Sequence, residues 1–351
     1  MSAEFTVALD AMGGDRAPDV VVKGANIARE RHPSARFLFV GDEGQVAPLI
    51  ERFPKLSQIS KIRHTTDVVT NDDKPSVALR NRRNSSMRLA INAVGDGEAA
   101  AVVSAGNTGA LMAMSKFVLK TLPGIDRPAI ASVFPTLRGE SVMLDLGANI
   151  ECSAANLVQF AAMGEVFARL TLGILEPTVG LLNVGEEELK GREPVRAAAV
   201  ALKASRLNQN FLGFIEGDDI AMGTVDVIVT DGFSGNVALK TAEGVSKLFS
   251  TSLRQAFGSS FIAGLGYLLA KRSLSRLWMR MDPRQYNGAV FLGLNGITVK
   301  SHGGTDALGF ASAISVAVDM VQQGYNDGIR EEIAVLNAET ASGAGEQAAA
   351  I

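Results

Sequence analysis

Short apolar runs recur along the chain, and most close on a glycine or a small polar residue. They predict strands at Phe5–Leu9, Phe37–Gly41, Ala101–Ala105, Ile130–Phe134, Val142–Gly147, Val179–Val184, Val225–Thr230 and Val290–Leu294. Helical spacing follows most of them, at Ala110–Lys120, Ala154–Leu170, Pro194–Leu207 and Val237–Phe257. Strands alternating with helices predict βαβ units and a mostly parallel sheet covered on both faces, an α/β/α architecture. No fixed-period repeat and no Pro/Ser-rich linker divides the chain. Residues 1–338 therefore read as one α/β catalytic domain, with room for two subdomains. Residues 339–351, rich in Ala, Gly and Glu, read as a flexible C-terminal tail.

The first strand ends in Asp10, followed by Gly13, Gly14, Asp15 and then Pro18 at a helix start. Such a turn points backbone N–H groups at an anion, and the helix dipole adds to the attraction. An ordinary βα turn, where glycine only allows positive φ, fits the same residues. The loops after the later strands are alike: Ser104–Ala110, Asp145–Asn149, Asn183–Gly191, Asp231–Asn236 and Ser301–Gly309 each combine Gly with Asn, Ser or Asp. Open α/β sheets bind ligands at the carboxyl ends of their strands. Gathered at one sheet edge, these loops would form a dense lining of amide donors, suited to phosphate and a polarised carbonyl. Candidate substrate-binding residues are Asp10, Gly13, Gly14, Asp15, Ser104, Asn107, Thr108, Asn149, Asp231, Ser234 and His302.

Composition narrows the chemistry. A net charge of −3, one Trp and three Tyr give neither a field nor stacking platforms for nucleic acid. Cys152 is the only cysteine, so no intrachain disulfide and no cysteine cluster forms, and a reducing cytoplasm is expected. The chain starts directly in a strand pattern without a signal-like segment. No apolar run reaches the ~18–20 residues that span a bilayer. His32, His64 and His302 have no neighbours at metal-ligand spacing, so no metal is expected. His32 and His64 read as surface residues, and His302 as a site candidate. There is no G-x-S-x-G elbow, no Walker A motif and no G-x-G-x-x-G fingerprint. Cys152 lacks a local base and reads as a buried structural thiol.

What remains is non-covalent chemistry on a bound anion, with no cofactor. Lys190 follows NVGEEEL in a loop and is a candidate cation or base, or a solvated surface lysine. Asn236 closes DGFSGN before an apolar helix. It reads equally as a helix N-cap and as an amide donor to a developing oxyanion.

Together, DAMGGDRAP, NSSMRLAI (Asn84–Ile91), SAGNTGALM, DLGAN, NVGEEELKG, DGFSGNVALKT and SHGGTDALGF closely resemble the bacterial acyl-carrier-protein:phosphate acyltransferases of phospholipid synthesis. These blocks run from Asp10 to Phe310 without a departure. The resemblance implies a fold like isocitrate and isopropylmalate dehydrogenases and phosphotransacetylase, and a homodimer. It implies attack of inorganic phosphate on a long-chain acyl-carrier-protein thioester. The acyl phosphate would pass to a membrane glycerol-3-phosphate acyltransferase. It also implies that Lys190 and Asn236 are the catalytic pair. The competing readings are a phosphotransacetylase using short-chain acyl-CoA, a nicotinamide-dependent dehydrogenase, and a non-catalytic membrane-recruiting scaffold.

A second surface stands out between Gly244 and Met281, a stretch without an acidic residue. It carries Lys247, Arg254, Lys271, Arg272, Arg276 and Arg280 around the apolar FIAGLGYLLA (Phe261–Ala270). Leu274, Leu277, Trp278 and Met281 continue it at helical spacing. The pattern predicts a protruding pair of cationic amphipathic helices with an apolar tip, extending the dimer and touching an anionic membrane through Leu265, Leu268, Lys271 and Arg272. A core-packing helix pair fits the same spacing. The basic cluster Arg80, Arg82, Arg83 and Arg88 is a candidate contact for the acidic carrier protein, or a solvated charge run.

Overall fold

The structure is a computed structural model and describes residues 4–335 apart from 281 and 283, together with 338. The side chains of Leu277 and Trp278, the residue Met281 and the expected tail 339–351 lie outside the described residues. The strands are β1 (Phe5–Asp10), β2 (Ala35–Gly41), β3 (Ser60–His64), β4 (Ala101–Ser104), β5 (Ala129–Pro135), β6 (Glu140–Leu144), β7 (Val179–Leu182), β8 (Phe211–Ile215), β9 (Val227–Val229), β10 (Ala289–Leu292) and β11 (Ile297–Lys300). The first helices are α1 (Asp19–Arg31), α2 (Glu43–Ile50), α3 (Pro54–Ser57), α4 (Pro75–Asn81), α5 (Ser86–Gly95) and α6 (Thr108–Leu119). They are followed by α7 (Ala154–Leu172), α8 (Glu193–Lys203), α9 (Asp219–Met222), α10 (Gly232–Gly258), α11 (Phe261–Arg280) and α12 (Ala307–Gln322).

All eight expected strands form. The strands that pattern reading missed are polar (β3), interrupted by a glycine (β8) or interrupted by a threonine (β11). They join one sheet in the order β3-β2-β1-β4-β11-β10-β5-β6-β9-β7-β8. Most neighbours are parallel, as expected, but β10 is antiparallel to both β11 and β5, and β5 is antiparallel to β6. The two parallel blocks therefore run in opposite directions. The loops after β1, β4 and β11 leave one edge of the sheet, and those after β6, β7 and β9 leave the other. Gathering at a single edge, as the sequence reading expected, does not occur.

Register lines the two blocks up. Leu9, Val103, Val299, Val290, Ala131, Leu144, Val229 and Leu181 are successive cross-strand partners in one transverse row. All eight are buried in the core on the α1, α7 and α12 side. Their neighbours Ala8, Val102, Ile130, Met143, Ile228 and Phe291 point to the other core, under α5 and α6. Because side chains alternate along a strand, Asp10 and Ser104 share that second face with Ala8 and Val102, and in the other block Leu146 and Ala148 after β6 and Ala238 and Leu239 of α10 pack into the same second core. Lys300 shares it through Thr298, whose hydroxyl lies 3.4 Å from that of Ser115 on α6. The two sets of loops thus open toward one face of the sheet. The gap from β11 to β6 is three strand spacings, about 14 Å.

Helix α10 starts at this face and runs 27 residues, yet only Gly232 and Gly235 in it are buried. Helix α11 follows after Ser259 and Ser260, and Phe257 meets Tyr267 with ring centroids 5.4 Å apart. The apolar FIAGLGYLLA segment is the first half of α11 rather than the connecting tip. No helix among the described residues is long and apolar enough to cross a membrane.

Candidate active site

The first group of loops is built around Asp10. This side chain is 1% exposed and accepts from Ser86 Oγ (2.6 Å), Ser104 Oγ (2.7 Å) and Met12 N (3.4 Å). Burial pushes its carboxyl above the usual range, while the two hydroxyls and the nearby Lys300 pull it back. Ser86 reaches it because Ser85 caps α5 and sets Ser86 in the first turn. Ser104 Oγ also accepts from Gly106 N at 3.0 Å. Gly13 passes directly over this carboxylate: a Cβ there would lie 2.4 Å from Asp10 Oδ2 and 2.8 Å from Gly106 N. Asp15 N donates to Gly303 O (3.0 Å), and Arg16 donates to Gly304 O and Thr305 O (2.7 and 2.6 Å). The loops after β1, β4 and β11 are therefore one laced unit.

Of the expected binding residues here, Asp10 braces the loops and has its acceptors engaged. Asn107 caps α6 by accepting from Ala110 N (3.0 Å), while its amide donates to the carbonyls of Thr70, Asn71 and Asp73. Asp15, Thr108 and His302 are exposed, and Gly14 is half-buried. His302 Nδ1 accepts from Gly304 N at 3.2 Å.

The second group is built around Asp145, which is fully buried. It accepts from the backbone N–H groups of Ile130, Gly147, Ala148 and Asn149 and from the Asn149 amide, at 2.7–3.2 Å. The Asn149 amide also donates to Pro128 O, so this expected binding residue is a brace. Gly232 N donates to Asn149 O at 2.7 Å. A Cβ on Gly235 would lie 1.9 Å from the Asp145 carbonyl oxygen, so only glycine lets α10 begin there.

Asp231, not Asn236, is the N-cap of α10, accepting from Ser234 N at 2.8 Å. Asn236 sits beyond the first turn, exposed, and its Cβ would stand 3.6 Å from a Cβ on Gly147. That loop residue has φ +133. Arg192 pairs with Asp231 and ties the Lys190 loop to the start of α10. Asn183 closes that loop by donating to the carbonyls of Gly185 and Lys190. Lys190 is half-exposed and pairs with Glu187 at 2.8 Å. The hydrogen bond that it donates to Glu187 holds its ammonium above the usual range, with Glu216 adding to the effect.

Helix α10 bridges the two groups. Lys240 lies one turn beyond Asn236, about 6 Å along the axis, and is close enough to Lys300 on β11 to repel its charge. Among the described residues, no three His, Cys, Asp or Glu side chains are grouped to hold a metal ion. Cys152 is half-buried, and burial pushes its thiol up to about 11. His32 is half-buried as well, its Nε2 2.9 Å from Ser315 Oγ, rather than a free surface residue. His64 is exposed, as expected.

In the basic cluster, Arg82 pairs with Asp67 (3.0 Å) and Asp73 (3.4 Å), whereas Arg83 is exposed. Arg88 and Lys120 both stack on exposed Phe117, 5.1 and 4.9 Å from its centroid.

Residues 5–327 match the family described as "Fatty acid synthesis protein". The phosphate acyltransferase of Rhodospirillum centenum is 68% identical over 338 residues, covering 96% of this chain and 95% of that one. That of Paramagnetospirillum magneticum is 60% identical over 332 residues, covering 95% of each. The chain belongs to the phosphate acyltransferase family. It is an acyltransferase of fatty acid or lipid synthesis, with phosphate as a substrate. Its fold is shared with a phosphotransacetylase from Streptococcus pyogenes at TM-score 0.62, with 16% identity and 91% and 94% of the two chains covered. A 4-hydroxythreonine-4-phosphate dehydrogenase described as putative, from Salmonella typhimurium, matches at 0.52, with 14% identity and 91% and 100% covered.

Sequence reading overlooked Ser86, Arg192 and Lys300. The Ser-Ser pair before an apolar helix is an N-cap signal that places Ser86. Arg192 carried no motif. Lys300 closes the segment Ile297–Val299, whose apolar residues Thr298 interrupts, so that it does not read as an apolar run.

Proposed function

We propose that this phosphate acyltransferase moves a long-chain acyl group from acyl carrier protein to inorganic phosphate, by direct attack on the thioester. The observation that carries this reading is the Arg192–Asp231 ion pair, which ties the Lys190 loop to the helix bearing Asn236. Phosphate is already anionic near neutral pH, so it needs positioning more than deprotonation. One of its oxygens attacks the thioester carbonyl carbon. The Asn236 amide donates to the oxyanion that develops there, a contact worth ~2.7–4 kcal/mol in such sites. The Lys190 ammonium offsets the accumulating charge. The carbon–sulfur bond then breaks, and the carrier thiol leaves with the proton of the hydrogen phosphate. No acyl-enzyme forms. The Cys152 thiol, pushed up to about 11, is not a competent nucleophile at neutral pH.

The partners follow from the same reading. The product is lipophilic and reactive and suits direct use by a membrane glycerol-3-phosphate acyltransferase. Exposed Leu265, Leu268, Lys271 and Arg272 on α11 make peripheral contact with an anionic bilayer from the cytoplasmic side. A second copy of the chain covers α10, and exposed Arg83 with its neighbours receives the acidic carrier.

The test is acyl phosphate formation from palmitoyl-carrier protein, trapped with hydroxylamine, in wild type and Lys190→Ala. Product that requires phosphate and falls at least about a hundredfold in the variant is expected. A trapped acyl-protein adduct would refute direct attack. Product only from acyl-CoA would reassign the donor.

A further inference from the structure

Lys190 and Asn236 serve the carbonyl, and the phosphate still requires a cation of its own. Lys300 is the last residue of β11, beside Ser104 in register and on the face shared with Asp10. Its side chain is half-buried. Its ammonium donates to the carbonyl oxygens of Ala105 (3.4 Å) and Ser301, not to a carboxylate. Burial, with a smaller push from Lys240, lowers it to about 8 despite the pull of Asp10 and Asp15. Among the described residues it has no ion-pair partner; a partly desolvated, unpaired ammonium destabilises the free protein, and an arriving anion offsets that cost.

The surroundings have space and donors for one. The Ala105 carbonyl that holds Lys300 lies 3.6 and 3.5 Å from where Cβ atoms would stand on Gly14 and Gly303. These two glycines keep side chains away from the neighbourhood of the ammonium. Among the described residues, the N–H groups of Gly14 and Gly303 have no intramolecular acceptor. Bare backbone N–H groups from two adjoining loops beside a lysine offer donors to a phosphate.

We propose that Lys300 takes the attacking phosphate, with the Gly14 and Gly303 N–H groups as neutral donors. The inference rests on the direct-attack reading above. It divides the labour of the cleft: phosphate is held by the β1–β4–β11 loops, and the thioester by the β6–β9–β7 loops across the face of the sheet.

The test compares wild type with Lys300→Met and Lys300→Arg. The KM for phosphate should rise about tenfold or more in Lys300→Met, as expected for loss of a charge-assisted contact. The KM for the acyl donor should change little, and Lys300→Arg should recover part of the loss. Inorganic phosphate binding followed by ³¹P NMR line broadening gives a readout that needs no acyl donor. In wild type it should weaken as pH rises through about 8, where the free ammonium loses its proton. Lys300→Arg should lack this step, and the difference between the two profiles cancels the ionisation of phosphate itself. Asp10, Asp15, His302 and Lys240 with its ion-pair partner Glu243, which face or neighbour the ammonium, are common to both proteins. An unchanged phosphate KM in folded Lys300→Met overturns the proposal, as does identical pH dependence in wild type and Lys300→Arg. If Lys300→Met does not fold, the arginine comparison decides alone. If wild type makes no acyl phosphate from any donor, direct attack fails, while the binding comparison still decides Lys300.

Discussion

Asp10 and Asp145 are both buried carboxylates, but their neighbours give them different work. Asp145 takes four of its five hydrogen bonds from the backbone and amide of residues 147–149 and the fifth from Ile130 N on β5, so it shapes its own loop and ties it to the neighbouring strand. Asp10 takes two hydroxyls from distant segments and joins them beneath the first glycine turn. Ser86→Ala removes one of these donors and leaves a buried oxygen short of a partner. A loss of about 1–3 kcal/mol in urea unfolding is expected, together with reduced turnover as the turn loosens. Cys152 makes an opposite prediction. With its thiol near 11, the thiolate is scarce at pH 8. Iodoacetamide should therefore modify the folded protein far more slowly than the urea-unfolded chain, and Cys152→Ala should keep its activity.

At the scale of elements, α10 links the chemistry to the surface. Its start is possible only because Gly235 has no side chain against the Asp145 carbonyl. Gly235→Ala should cost at least about 1–3 kcal/mol, the usual penalty for forcing atoms into a packed contact. It should depress activity more than stability, because the shift acts directly on Asn236; thermal melts and the hydroxylamine assay report the two effects separately. Farther along, Val245, Leu248 and Phe249 on α10 and Phe261, Ile262, Leu265, Leu268 and Leu269 on α11 are exposed apolar side chains. A patch of that kind marks an interaction surface. Replacing Leu265 and Leu268 together by Glu should abolish flotation with anionic liposomes while leaving acyl phosphate formation in solution intact. Undiminished flotation would remove α11 from the membrane contact.

At the scale of the molecule, the β10 and β5 strands reverse the sheet and set two parallel blocks head to tail. One transverse row of buried side chains keeps the blocks level, and the loops that carry the motifs open on the same face. Much of this was legible in the chain. Eight strands, the α/β class and the glycine loops follow from apolar runs and their terminators, because strand and turn preferences are local. The family was legible because several separated motifs recur together. Strand β11 was not legible, because Thr298 splits its two apolar residues, and with it Lys300 went unnoticed. The start of α10 was misplaced by five residues because Gly232 and Gly235 are poor helix formers. Contact with the Asp145 loop overrides that preference. The sequence by itself determined the elements, the loops and their chemistry, since each depends on residues within a few positions. Only the tertiary structure decided which loops share an edge, that Asp10, Asn107 and Asn149 are braces, and that Lys300 stands beside Gly14 and Gly303. Those facts depend on strand direction and register, which are set by packing between residues far apart in the chain.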